Sequence, residues 1–115
     1  MTSLNLLVLR ASNPERLARF YSAFGLVFQT ERHGAGPDHQ TCDLGGSVLE
    51  IYPAKSPDQS TAGARLGFRV SSLKDAVAAC LSDGAVLKAP HQSAWGYRAI
   101  VQDPEGHTVE LIESD

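Results

Sequence analysis

Gly46-Ser47-Val48-Leu49-Glu50-Ile51 and Gly106-His107-Thr108-Val109-Glu110-Leu111 are one pattern written twice, 60 positions apart. A shift of 59 positions superposes two further pairs. Leu9-Arg10-Ala11-Ser12 falls on Phe68-Arg69-Val70-Ser71, and Gly25-Leu26-Val27-Phe28 falls on Gly84-Ala85-Val86-Leu87. A single match would carry little weight. Three matches in one order, at nearly one offset, identify a duplicated unit.

Each copy reads as strand, helix, then three strands. In the first, the apolar run Leu4 to Leu9 is short and branched enough for a strand. Asn13 caps a helix opened by Pro14, whose missing N–H would be an orphan at that position in any case. Leu17, Phe20, Tyr21 and Phe24 form its apolar stripe, and Gly25 is its stop. Strand candidates follow at Val27–Glu31, Gln40–Leu44 and Ser47–Tyr52. The second copy repeats the plan with Leu66–Val70 as strand and Ser72 with Asp75 as a capping box. Val77, Cys80 and Leu81 form its stripe, Gly84 is its stop, and the strands are Ala85–Lys88, Tyr97–Gln102 and Thr108–Ile112. Gly45-Gly46 and Asp103-Pro104-Glu105-Gly106 read as hairpin turns. The stretch from Pro53 to Gly63, rich in Pro, Ser, Gly and Ala, connects the copies. The expected organisation is a single domain, with module one at about 1–54, a linker at about 55–63 and module two at about 64–115.

Composition narrows the role. The chain has 115 residues, 43% hydrophobic and 20% charged, which suits one folded domain. Its net charge is −3 with no run of Lys or Arg, so neither nucleic acid nor an anionic membrane surface has electrostatic support as a partner. No apolar run approaches the roughly 20 residues that span a bilayer. Cys42 and Cys80 sit in apolar company, and no basic-then-apolar leader pattern opens the chain. The expectation is a cytoplasmic protein with reduced thiols. There is no phosphate loop, nucleophile elbow or zinc-finger spacing.

Arg10-Ala11-Ser12-Asn13-Pro14-Glu15-Arg16, with Phe20-Tyr21 and Phe24-Gly25-Leu26, resembles the opening of vicinal-oxygen-chelate proteins, the glyoxalase, bleomycin-resistance and dioxygenase superfamily. Trp95-Gly96, followed by Val101-Gln102-Asp103-Pro104-Glu105-Gly106-His107-Thr108-Val109-Glu110-Leu111, resembles their close. The likeness spans nearly the whole chain. It implies an α+β fold of two βαβββ modules forming an incomplete barrel around a cleft, and a homodimer as the working form. Open sheet edges in so short a chain point to a partner independently.

Strand alternation gives Leu7, Leu9, Leu49, Ile51, Leu66, Phe68, Val70, Val109 and Leu111 to an apolar face that packs on the helices. The other face is mixed, as a ligand cleft requires: Leu6, Val8 and Arg10; Val48, Glu50 and Tyr52; Arg65, Gly67 and Arg69; Thr108, Glu110 and Ile112. The resemblance implies that the four positions holding a cation in metal-dependent relatives fall on Leu6, Glu50, Arg65 and Glu110. Leucine has no lone pair and arginine only donates, so no catalytic metal is expected. Arg65 is expected to take the cation's electrostatic place by pairing with Glu50 or Glu110.

Among other residues, Trp95 reads either as core filling or as a cleft wall for a planar ligand, and Tyr52 as a residue lining the cleft. His107 reads as a solvent-facing turn residue, His33 and His39 as exposed loop residues, and His91 as part of a lid before Trp95. Arg10 and Arg69 read as rim or interface residues. The leading expectation is a metal-independent small-molecule binder and homodimer, with Glu50, Arg65, Glu110, Trp95 and Tyr52 as ligand contacts and no cofactor. The alternatives are a divalent-metal-dependent lyase/isomerase or ring-cleaving dioxygenase using Glu50 and Glu110, and an interaction subunit whose cleft is closed.

Overall fold

Asn13 and Ser72 do at the helix starts what their positions predict. In the computed structural model, which describes all of residues 1–115, the Asn13 side chain accepts the N–H of Arg16 at 3.1 Å, and helix α1 runs over Pro14–Ser22. Ser72 Oγ accepts the N–H of Asp75 at 3.2 Å, and helix α2 runs over Leu73–Cys80. The Leu73 N–H at the start of α2 donates to Glu113 Oε2 at 2.9 Å, a carboxylate that also suits the positive end of a helix.

The chain divides into two units, Met1–Thr61 and Ala62–Asp115. In the first, β1 (Leu6–Ala11), β2 (Gln29–Glu31), β3 (His39–Asp43) and β4 (Val48–Pro53) make a sheet in the order β1-β4-β3-β2. In the second, β5 (Arg65–Val70), β6 (Ala85–Ser93), β7 (Gly96–Gln102) and β8 (Thr108–Glu113) make a sheet in the order β5-β8-β7-β6. In both, the first strand lies parallel to the last and the remaining pairs are antiparallel. The fold is α+β, the topology is the same twice, and neither sheet closes on itself.

Alternation sorts the faces as expected. Leu9, Leu49 and Ile51 are buried in the first unit, and Leu66, Val70, Val109 and Leu111 in the second, while Leu7 and Phe68 are half-buried. The helix cores differ in kind. Phe20 meets Tyr21 edge-on at 5.1 Å and Phe24 at 5.4 Å between ring centres, whereas the buried residues of α2 are Leu73, Ala76 and Cys80. Cys42 and Cys80 are buried free thiols, and burial pushes both above the usual thiol range, which keeps them protonated.

Four local expectations need correction. The strand expected over Ala85–Lys88 continues to Ser93, with irregular register around Lys88 and His91. His91 is therefore a strand residue opposite Arg98 rather than part of a free lid. His107 is fully buried, because the equally buried Asp103 holds its Nδ1 at 2.8 Å. His39 is likewise fully buried on β3.

Candidate functional site

The mixed face of the second sheet follows from three adjacent strands. Along β7, Ala99 and Val101 are buried toward α2, which turns Arg98, Ile100 and Gln102 to the opposite side. Register then sets Arg98 opposite Ile112 and Ile100 opposite Glu110 on β8, while Gly67 and Arg69 of β5 lie beside Glu110 and Ile112. Glycine at 67 brings no side chain against Glu110. The result is a depression of about 540 Å³ lined by Arg65, Arg69, Trp95, Arg98, Glu110 and Ile112.

Its electrostatics are organised by Glu110. Arg98 Nη2 lies 2.8 Å from Glu110 Oε2, and Arg65 Nη2 lies 3.9 Å from the same oxygen. Of the two carboxylates open to it, Arg65 lies near Glu110 but beyond hydrogen-bond distance, and Arg98 is the residue that pairs with that carboxylate. The Arg98 side chain is largely buried and its guanidinium carbon sits 5.4 Å from the centre of the Trp95 ring. Its Nε–H is buried with no acceptor in the protein. Trp95 itself is 72% exposed, so it fills no core and forms part of the wall. Sequence reading missed Arg98; the available signal was a charged residue alternating with Ala99 and Val101 on a strand otherwise apolar through Val101.

Glu50 and Tyr52 belong to the first unit, where they surround His39. Arg10 stands opposite Tyr52 across β1 and β4, and Glu31 opposite His39 across β2 and β3. The His39 and Tyr52 rings stack at 4.1 Å and 9°, and the Arg10 guanidinium lies 5.3 Å from the Tyr52 ring centre. Burial pushes the Tyr52 phenol above its ordinary range; Glu50 and Glu31 add to that push and Arg10 opposes it.

Of the four positions that the resemblance gives to a cation, two offer it no ligand atom. Leu6 presents only an alkyl group and Arg65 only donors. Glu110 is already paired with the Arg98 guanidinium at 2.8 Å. Glu50, in the first unit, has His39 Nε2 at 3.4 Å from its Oε2.

The family described as glyoxalase-like domain matches residues 6–112. None of the curated proteins matches the chain. Among solved structures, a hypothetical protein from S. aureus is similar at 18% identity and TM-score 0.77, over 99% of this chain and 98% of that one. TnmS3, an antibiotic binding protein from Streptomyces sp. CB03234, is similar at 19% identity and TM-score 0.74, over 100% of this chain and 98% of that one. A glyoxalase/bleomycin resistance protein/dioxygenase family enzyme from Burkholderia phytofirmans PsJN is similar at 19% identity and TM-score 0.75, over 97% and 98% of the two chains.

Proposed function

The chain belongs to the glyoxalase-like domain family, and on that premise we propose that it is a small-molecule binder whose ligand rests on the mixed face of the second sheet without passing through a metal ion. The observation that carries this reading is the depression around Glu110. Its size lies within the roughly 300–1,000 Å³ of small-molecule sites. It contains three guanidiniums and one carboxylate. With Arg98 on Glu110, Arg65 and Arg69 are left to meet negative charge, while Trp95 offers a flat apolar wall. A compact planar ligand with a carboxylate or phenolate group satisfies all of these.

A protein of the same fold is an antibiotic binding protein, which supports a binding role. The lyase/isomerase or dioxygenase reading needs a metal on Glu50 and Glu110, and the Arg98–Glu110 pair at 2.8 Å opposes it. We place the protein in a reducing compartment such as the cytoplasm, in keeping with two free buried thiols. We also read its working form as a homodimer, since β1, β2, β5 and β6 are sheet edges and Leu6, Val27, Leu87 and Tyr97 are exposed. Light scattering is expected to give twice the 12.3 kDa of one chain; a monomer at micromolar concentration contradicts this part.

A thermal-shift panel of planar aromatic carboxylates and planar antibiotics tests the main reading. A binder at 100 times its Kd is expected to add about 2.7 kcal/mol of stability, in the presence of EDTA as in its absence. Arg65→Ala is expected to weaken that binder roughly 10- to 100-fold, the value of one charged hydrogen bond. A panel with no binder, or binding that requires added metal and is lost in Glu110→Gln, overturns the reading.

A further inference from the structure

The geometry points to a divalent-cation site in the first unit, built by Glu31, His33, His39 and Glu50. One ligand atom from each of the four lies within 4.8 Å of all the others. Three separations within the cluster are short: His33 Nε2 to Glu31 Oε1 at 3.0 Å, His39 Nε2 to Glu50 Oε2 at 3.4 Å, and His39 Nε2 to Glu31 Oε1 at 3.5 Å. A tetrahedral ion with bonds of about 2.0–2.1 Å sets its ligand atoms roughly 3.3–3.4 Å apart. The set is therefore close to the spacing an ion imposes.

His39 supplies the independent sign. Its side chain is fully buried, yet neither ring nitrogen has a hydrogen-bond partner. Leaving a buried polar atom unsatisfied costs about 1–3 kcal/mol. Its Nε2 sits between two carboxylate oxygens without hydrogen-bonding either one. A cation at the centre of the cluster gives that nitrogen a bond. Two carboxylates and two neutral imidazoles also balance a charge of +2, in a donor set that suits Zn²⁺ and its first-row neighbours.

Local structure explains how four dispersed residues converge. β2 and β3 pair so that Glu31 faces His39, and Glu50 arrives from β4. Residues 32–38 fold back over them. Arg32 and Asp38 clasp the base of that loop at 2.8 Å, and the Gly36 N–H closes a turn on His33 O at 3.0 Å. His33 is thereby returned to 4.9 Å from His39 between ring centres. His39 and Glu50 form a fixed floor, while the more exposed His33 and Glu31 can swing to complete the shell. Glu31 also borders an open depression of about 420 Å³ with Gln29, Thr41 and Asp43, a path of entry. Of the four family positions only Glu50 takes part, and the other three ligands come from β2, the loop and β3.

Titration of EDTA-treated full-length protein with Co²⁺ alone tests the site. One ion per chain is expected, with the visible bands of tetrahedral nitrogen–oxygen coordination, and Zn²⁺ is expected to displace it. His33→Ala removes an exposed side chain and keeps the fold, as circular dichroism will verify. It is expected to weaken Co²⁺ binding at least 10- to 100-fold, since even losing a residue that only supports a ligand has that effect. Glu31→Gln is expected to weaken binding in the same direction, and Glu110→Gln to leave it unchanged. The site is overturned if no saturable binding near one ion per chain appears, or if folded His33→Ala and Glu31→Gln both bind as the parent does. It is overturned equally if Glu110→Gln, rather than His33→Ala, removes the ion.

Discussion

Asp103→Ala is expected to cost about 3 kcal/mol or more of stability, since a buried polar group left without its hydrogen-bond partner costs roughly 1–3 kcal/mol and Asp103 holds three, and to lower Tm by roughly 10–20 °C in a chain of this size. Asp103 is the organising acceptor of the β7–β8 turn. Its Oδ1 takes the N–H groups of Glu105 and His107, each at 3.0 Å, and its Oδ2 lies 2.8 Å from His107 Nδ1. Both side chains are fully buried, so truncation takes the acceptor from a buried imidazole and a buried amide, and from the half-buried Glu105 amide. Gly106, at φ +96°, is held in the conformation this turn needs. The first copy supplies a control. Asp43 is the equivalent residue, exposed, and accepts only the Gly45 N–H at 2.8 Å. Ser47 stands where His107 stands in the second copy. Asp43→Ala is therefore expected to cost about 1 kcal/mol or less. Urea denaturation of the two variants side by side is the check; equal losses contradict the assignment.

Phe20→Ala is expected to be about as damaging, at roughly 3–5 kcal/mol for a buried phenylalanine. Phe20 is 1% exposed on the face of α1 that packs on β1, β3 and β4. It also stands edge-on to both Tyr21 and Phe24, contacts that add to simple area burial. The corresponding place in α2 is Ala79, which is exposed. The two units therefore reach one topology with different cores, aromatic in the first and small-residue in the second. Loss of the first core is expected to lower the urea midpoint with little change in m-value. A loss below about 1.5 kcal/mol would mean the site collapses around the cavity and that α1 is not held by its aromatic cluster.

What could be read from sequence was what local chemistry decides. Asn13 and Ser72 cap helices because a side-chain oxygen three residues before an orphan N–H has little else to do. Gly45 and Gly106 close hairpins because those turns need positive φ. Alternation on β5 and β8 was enough to put Arg65 and Glu110 on one mixed face, though not to pair them, since the guanidinium stays 3.9 Å away. The rest depended on strand register. Nothing short of knowing that β7 lies between β8 and β6 puts Arg98 on Glu110. The same holds for His39, whose burial depends on β3 lying between Glu31 of β2 and Tyr52 of β4. His107 was misjudged because a histidine after a turn usually meets water; here a buried carboxylate four residues earlier gives it a reason to turn inward.

The most direct measurement of the binding account uses the one tryptophan of the chain. Trp95 is exposed, lies on the wall of the depression and stacks under Arg98, so its fluorescence reports that surface and no other. Titration with a planar anionic compound that raises Tm is predicted to quench or blue-shift this emission saturably at one site per chain, in EDTA, with the midpoint moved to higher concentration by Arg65→Ala. A compound that stabilises the protein while leaving Trp95 emission unchanged, or that binds Arg65→Ala as tightly as the parent, would place the ligand elsewhere and contradict the account.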